Sequence, residues 1–112
     1  MVNRLFVYGT LGPGQSHEHL LKKISGHWQA ATMHGRLHPN GLGPTFGYPT
    51  LDIRFGDELI YGHVYYSRQL PRLWKSLDDY EGRGYRRVVS RVHLPNGQTV
   101  MAWVYALDAN AR

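Results

Sequence analysis

Residues 4–14 read RLFVYGTLGPG, an apolar run that stops abruptly at a loop with three glycines and one proline. The β-branched and aromatic character of residues 4–8 predicts a buried strand. Glycine leaves neighbouring main-chain N–H groups open to close approach because it has no Cβ, and it adopts positive φ at low cost. The stretch 9–14 is therefore either an ordinary turn or a ligand site built from main chain, and the rest of the chain has to distinguish the two.

The composition predicts one small folded domain over residues 1–112. Hydrophobic residues make up 42% and charged residues 19% of the chain, which is typical of globular proteins. No apolar stretch approaches the roughly 20 residues that a membrane span requires, and the N-terminal residues lack the layout of a signal peptide. Cysteine is absent, which excludes disulfides, thiolate metal sites and cysteine nucleophiles. These features favour a cytoplasmic protein without membrane association.

The net charge of +5 raises the question of an anionic partner such as nucleic acid. The basic residues are scattered, and one cluster stands out, at Arg83, Arg86, Arg87 and Arg91. The sequence contains no helix-turn-helix, zinc-finger or RNP signature. We therefore expect no nucleic-acid partner, and a basic interaction module is the less favoured of the functional alternatives.

Seven histidines raise the question of a metal site. His17 and His19 are two residues apart and would point in different directions on a helix. His34 and His38 could meet on a helix, but Gly35 and the surrounding alternation argue against one. Surface histidines are the better interpretation, and we expect neither a metal nor an organic cofactor.

The strand pattern after the glycine loop predicts an α+β fold. Ser16 is a suitable N-cap for a short helix that carries Leu20, Leu21 and Ile24. Residues 27–38 alternate as a strand interrupted at Gly35, and residues 39–51 form a long loop rich in glycine and proline. Residues 59–66 resemble another strand, and residues 87–105 form two strands joined by a turn at Asn96-Gly97. We expect a small mixed sheet, curled toward a barrel, with two short helices.

The second helix is the clearest element of the pattern. Ser67 can cap it, Pro71 suits its first turns, and Gly82 can end it. Its apolar residues recur at i, i+3, i+4 and i+7, namely Leu70, Leu73, Trp74 and Leu77.

Glu81 falls on the apolar stripe of this helix, four residues after Leu77 and seven after Trp74. A carboxylate there should turn toward the core or a cavity rather than toward bulk water. Burial, the negative helix end and Asp78 would raise its pKa, whereas the nearby arginines would lower it. Glu81 is therefore either a proton carrier, as a raised pKa permits, or the ion-pair partner of Arg83 or Arg87.

Two motifs carry a family resemblance: VYGTL at residues 7–11, and LDDYEG at 77–82 followed by GYRR at 84–87. With FGYPTL and IYGHVYY between them in order, the chain resembles the γ-glutamylcyclotransferase-like superfamily, and within it the AIG2-like and γ-glutamylamine cyclotransferase branch. The resemblance implies the γ-glutamylcyclotransferase-like fold. It also implies an enzyme that cyclises a small γ-glutamyl substrate, releasing 5-oxoproline with an amine, amino acid or peptide, without a cofactor.

The resemblance also implies roles for individual residues. Glu81 would be the catalytic general base and acid. The main chain at the end of the first strand would bind the glutamyl group, at Tyr8, Gly9, Thr10 and Leu11. Tyr85 and Arg87 occupy positions where the family often has an aromatic and a basic residue, and Tyr48 is the loop aromatic best placed to touch a ligand. A relative that binds a metabolite without catalysis is the principal alternative.

Overall fold

A computed structural model describes residues 2–9 and 11–110 of the chain. The strands are β1 (Arg4–Val7), β2 (His27–His38), β3 (Thr50–Asp52), β4 (Glu58–Tyr66), β5 (Tyr85–His93) and β6 (Thr99–Leu107). The helix α1 (Trp74–Glu81) lies between β4 and β5, and short 3-10 turns occur at Glu18–Leu20, Gly43–Thr45 and Leu70–Arg72.

Five of the strands close into a barrel. The strand order is β2-β4-β1-β6-β5, and β5 returns to β2 at the pair Thr32–His93. The pairing of β1 with β6 is parallel, whereas the other pairings are antiparallel. The short strand β3 pairs with the end of β2 and lies beyond the closed ring. The predicted α+β barrel of mixed strand direction is thus confirmed.

Strand β1 is buried on both faces, which explains why its sequence is apolar without interruption. Phe6 packs into the barrel interior together with Met33 and Val104. The alternate residues Leu5 and Val7 face the other way and pack with residues of α1 and of the loop after β1. The first strand therefore connects two hydrophobic clusters, and its end is held on both sides.

The expected first helix is wrong, because residues 15–24 form a series of tight turns. Their backbone hydrogen bonds run from residue i to residue i−3, as in Leu21 N to Glu18 O at 2.9 Å, which is the 3-10 pattern. Ser16 caps no helix; its hydroxyl lies 3.2 Å from Nδ1 of His17. Leu21 and Ile24 are nevertheless buried, so the apolar spacing indicated burial correctly while the segment is too short to nucleate an α-helix.

The second predicted helix is confirmed in its later part. α1 begins at Trp74 and ends at Glu81, and Gly82 follows with a φ of 73°, a conformation that favours glycine. Ser67 instead stabilises the preceding turn, since its hydroxyl accepts a hydrogen bond from Gln69 N at 3.0 Å. The fold therefore has one α-helix with 3-10 turns rather than two helices.

Strand β2 runs through Gly35 without the expected interruption. The glycine is needed for close packing rather than for a break: a Cβ there would lie 2.6 Å from Cδ1 of Leu51. Gly35 thus lets β3 approach β2 closely. None of the helices within residues 2–9 and 11–110 combines the length and the apolar character that crossing a bilayer demands.

Candidate active site

A cavity of about 820 Å³ opens where β1 ends. Its wall combines the end of β1 and the following loop, the middle of β4, the end of α1, the start of β5 and part of the loop before β3. Five tyrosines from these elements line it, at Tyr8, Tyr48, Tyr61, Tyr80 and Tyr85, and Tyr105 of β6 joins them. Glu81 is the one carboxylate among the described lining residues, and no lysine or arginine is among them. The cavity is therefore largely aromatic and holds a single acidic group.

Glu81 projects into this cavity from the last residue of α1. Leu77, one turn earlier, is fully buried, so the helix stripe carries Glu81 toward the interior as its spacing predicts. Burial raises the pKa of Glu81 from its ordinary value of 4.5 to about 7. A pKa near neutrality lets this carboxyl group both accept and donate a proton.

The ion pair between Glu81 and a nearby arginine, left open by the sequence, is absent among the described residues. Arg87 binds Asp78 instead, with its Nε 3.0 Å from Oδ1 and its Nη2 3.4 Å from Oδ2. Asp78 also accepts a 2.6 Å hydrogen bond from the Tyr105 hydroxyl. Although partial burial opposes them, these bonds lower the pKa of Asp78. Two carboxylates one helical turn apart thus have pKa values shifted in opposite directions.

Tyr8 lines the cavity, but its hydroxyl is occupied by the fold. It donates a 2.6 Å hydrogen bond to the carbonyl of Tyr105 and accepts a 3.1 Å bond from the N–H of Leu51. Burial raises the pKa of the Tyr8 hydroxyl well above its ordinary value. Tyr8 therefore joins β1 to β6 and to β3, and its ring is what it presents to the cavity.

The main chain after β1 has donors without a partner among the described residues. The N–H groups of Gly9 and Leu11 form no hydrogen bond with another residue in the described part of the chain. Both residues line the cavity, and the Leu11 side chain is buried in the adjoining core. Thr10, predicted to bind substrate with them, lies outside the described residues. The geometry is that of a main-chain donor site at a strand end.

The backbone conformation at position 9 does not require a glycine. Gly9 is not among the described glycines with positive φ, so its backbone conformation is open to other residues. A Cβ built on Gly9 meets nothing within 4 Å apart from its chain neighbours. A larger residue at this position would therefore take up open space rather than strain the chain.

Tyr48 and Tyr85 both reach the cavity, whereas Arg87 does not line it. Tyr85 donates a 3.2 Å hydrogen bond to the carbonyl of Pro49 and lies 3.1 Å from the hydroxyl of Thr50. It thereby ties the start of β5 to the end of the 39–49 loop. Tyr48, on this loop, is 66% exposed at the cavity mouth.

Two histidines line the cavity, although the histidines were expected at the surface. His17 lies in the loop after β1, with its ring 5.0 Å from that of Tyr80, and His63 lies in β4. The signal for His63 was available, because it shares a strand face with Tyr61 and alternates with the buried Ile60 and Val64. No three His, Cys, Asp or Glu side chains in the described ranges come close enough together to hold a metal ion.

The decisive comparison is with protein families. The profile of the family described as "Gamma-glutamyl cyclotransferase, AIG2-like" matches residues 5–112. The chain belongs to this family. At the level of sequence, no protein of curated function shows significant similarity to this AIG2-like chain.

Solved structures extend the comparison of this family member. YkqA from Bacillus subtilis is 29% identical, with a TM-score of 0.70; the alignment covers 100% of this chain and 38% of YkqA. The chain thus spans less than half the length of YkqA. An AIG2-like protein from Mus musculus is 26% identical, with a TM-score of 0.65 and coverage of 97% and 79%. A glutathione-specific γ-glutamyl cyclotransferase from yeast is 15% identical, with a TM-score of 0.62 and coverage of 97% and 70%, and shows the shared fold alone.

Proposed function

We propose that this AIG2-like protein is a γ-glutamyl cyclotransferase, and that Glu81 carries its proton transfers. The observation that carries the proposal is the Glu81 carboxyl group, with a pKa raised to about 7, facing a cavity whose other side is the end of β1. Family membership supports cyclotransferase chemistry in general. The substrate would be a small molecule with a γ-glutamyl group, bound without a cofactor.

The reaction needs no nucleophile from the protein, because the substrate supplies its own α-amine. Glu81 as carboxylate would take a proton from the α-ammonium group, and the freed nitrogen would attack the γ-carbonyl carbon. The bond from this carbon to the leaving nitrogen then breaks while Glu81 returns the proton to that nitrogen. The attacking nitrogen loses its second proton to the departing amine or to solvent as the lactam forms. The products are 5-oxoproline and a free amine, and Glu81 is again a carboxylate.

The end of β1 would orient the reacting group. The N–H groups of Gly9 and Leu11, which have no partner among the described residues, are suitable donors for the substrate carboxylate or for the oxyanion that forms during attack. Orientation is a large part of the acceleration of a ring closure, since both reacting groups belong to one molecule. The leaving amine would extend toward the mouth, where Tyr48 and Tyr61 are exposed.

The proposal is tested by Glu81→Gln, with Asp79→Asn as the matched control. Asp79 precedes Glu81 by two residues on the same helix, but its carboxylate is 71% exposed and pairs with Lys75. We expect Glu81→Gln to bind 5-oxoproline in calorimetry while its release of 5-oxoproline falls by roughly 10²–10⁴-fold, and Asp79→Asn to behave as wild type. The assay uses a panel of γ-glutamyl amines and γ-glutamyl amino acids.

Three outcomes would contradict parts of this proposal. Turnover by Glu81→Gln at the wild-type rate would exclude Glu81 as the proton carrier. Binding of 5-oxoproline by wild type without release from any member of the panel would favour the non-catalytic relative. Failure of wild type to bind 5-oxoproline at all would exclude this cavity as a 5-oxoproline site.

A further inference from the structure

One face of α1 carries two carboxylates, of Asp78 and Glu81, and the indole ring of Trp74. Trp74, Asp78 and Glu81 are spaced at i, i+4 and i+7, so they share this face. Arg87 of β5 stacks on Trp74 and pairs with Asp78, and it forms no ion pair with Glu81. Arg87, Asp78 and Glu81 nevertheless line one small depression of about 300 Å³ beside the main cavity. The arginine is therefore close to both carboxylates and is paired with one.

Two indole rings fix the position of this cation. The guanidinium carbon of Arg87 lies 4.2 Å from the centre of the Trp74 ring and 4.5 Å from the centre of the Trp103 ring. Arginine is stabilised over the faces of aromatic rings, tryptophan above all. Because Trp74 begins α1 and Trp103 lies on β6, the two rings hold the guanidinium beside the earlier part of the helix, where Asp78 is its nearest acidic partner.

Arg86 of β5 lines the same small depression, but it is exposed and forms no ion pair with Glu81 among the described residues. Tyr8 faces the cavity from β1, Tyr85 from β5 and Tyr105 from β6, and each phenol is held neutral by burial. The remaining titratable residues of the lining are His17, Tyr48, Tyr61, His63 and Tyr80. The Tyr105 hydroxyl donates to Asp78, and Tyr105 lines both the main cavity and the small depression.

We propose that Trp74, Trp103 and Asp78 form a cation clamp that holds Arg87 one helical turn away from Glu81 and so leaves the Glu81 carboxyl group free to exchange protons in the cavity. The clamp is a positioning device: it touches no reacting atom and acts through Glu81. Only its link to catalysis rests on the proposed function. An arginine paired with Glu81 would hold that group ionised and make it a weak base, because an opposite charge at contact distance lowers a carboxyl pKa by about 1–3 units.

The test is the titration of the Glu81 carboxyl carbon by NMR, assigned by comparison with Glu81→Gln. In Asp78→Asn, which keeps the shape of the side chain, Arg87 loses its charged partner. We expect the Glu81 inflection to fall from about 7 by about one unit or more. In the double variant Asp78→Asn, Arg87→Gln the inflection returns to the wild-type value. In Arg87→Gln alone it stays at the wild-type value, because the clamped arginine does not act on Glu81.

Each departure from this pattern overturns the clamp. An unchanged inflection in Asp78→Asn shows that Arg87 is not held back by Asp78. A fall that persists in the double variant shows that the charge of Asp78 itself is responsible. A rise in Arg87→Gln shows that Arg87 already acts on Glu81 in the native protein, and this variant decides the matter if Asp78→Asn loses the native amide spectrum. The titration needs no turnover, so failure of the cyclotransferase proposal would leave its result unaffected.

Discussion

The Tyr8→Phe variant tests whether the Tyr8 hydroxyl stabilises the fold or binds the substrate. The substitution removes a single oxygen that joins two buried main-chain groups, the carbonyl of Tyr105 and the N–H of Leu51. Leu51 is completely buried and its N–H donates to the Tyr8 oxygen, so the substitution removes the partner of a buried donor. Such an orphaned group costs about 1–3 kcal/mol, whereas the carbonyl keeps further capacity to accept and adds little.

We therefore expect Tyr8→Phe to lower the free energy of unfolding by about 2 kcal/mol. For a chain of this size that corresponds to a fall in Tm of roughly 10 °C, measured by thermal unfolding monitored by circular dichroism. Tyr61→Phe is the control, because Tyr61 lines the same cavity but is 76% exposed, and its Tm should match wild type.

The kinetic side of the experiment is equally specific. Measured well below its Tm, Tyr8→Phe should keep most of its 5-oxoproline release, because the hydroxyl is already committed to the fold. A variant with unchanged Tm and strongly reduced turnover would refute this reasoning and assign the Tyr8 hydroxyl to the substrate.

Two further predictions concern Glu81 and Gly9. Between pH 4.5 and about 7 folded Glu81 keeps a proton that the unfolded chain has lost, so this group makes stability fall as pH rises. The free energy of unfolding of Glu81→Gln, measured with denaturant, should exceed that of wild type by at most about 3 kcal/mol at pH 8 and by much less at pH 5. An equal difference at both pH values would contradict the raised pKa of Glu81. Gly9→Ala should keep the wild-type Tm, because its Cβ enters open space, and should weaken 5-oxoproline binding in calorimetry. Gly62→Ala should unfold at a lower temperature, because its Cβ would lie 2.7 Å from Cζ of Phe6. Undiminished binding by Gly9→Ala would place the ligand elsewhere in the cavity.

The parts of the fold that follow local periodicity could be predicted from the sequence. The run of residues 59–66 indicated β4, alternation identified the β5–β6 hairpin, and Asn96-Gly97 lies at its turn as expected. The i, i+3, i+7 spacing of Trp74, Leu77 and Glu81 indicated an inward-facing carboxylate. The first helix failed because apolar spacing reports burial, while the backbone of so short a segment is decided by the elements that it packs against.

The candidate site was predictable only in part, because proximity in sequence is a poor guide to electrostatic partners. Arg83 and Arg87 were equally credible partners for Glu81, and the choice of Asp78 by Arg87 depends on Trp103, which comes from another strand. The hydroxyl of Tyr8 is committed to a carbonyl 97 residues away. Neither arrangement leaves a trace in local sequence.

By itself, then, the sequence determined which side chains face inward, since the strand period of two and the helix period of 3.6 are properties of a short stretch of backbone. Only the tertiary structure decided how those inward faces meet: the closure of β5 onto β2, the cavity at the end of β1 and the pKa of Glu81. The physical reason is that desolvation and hydrogen bonding depend on atoms contributed by distant parts of the chain. The spacing of residues along a helix can direct a carboxyl group inward, but the atoms that surround the group in the folded protein set its pKa.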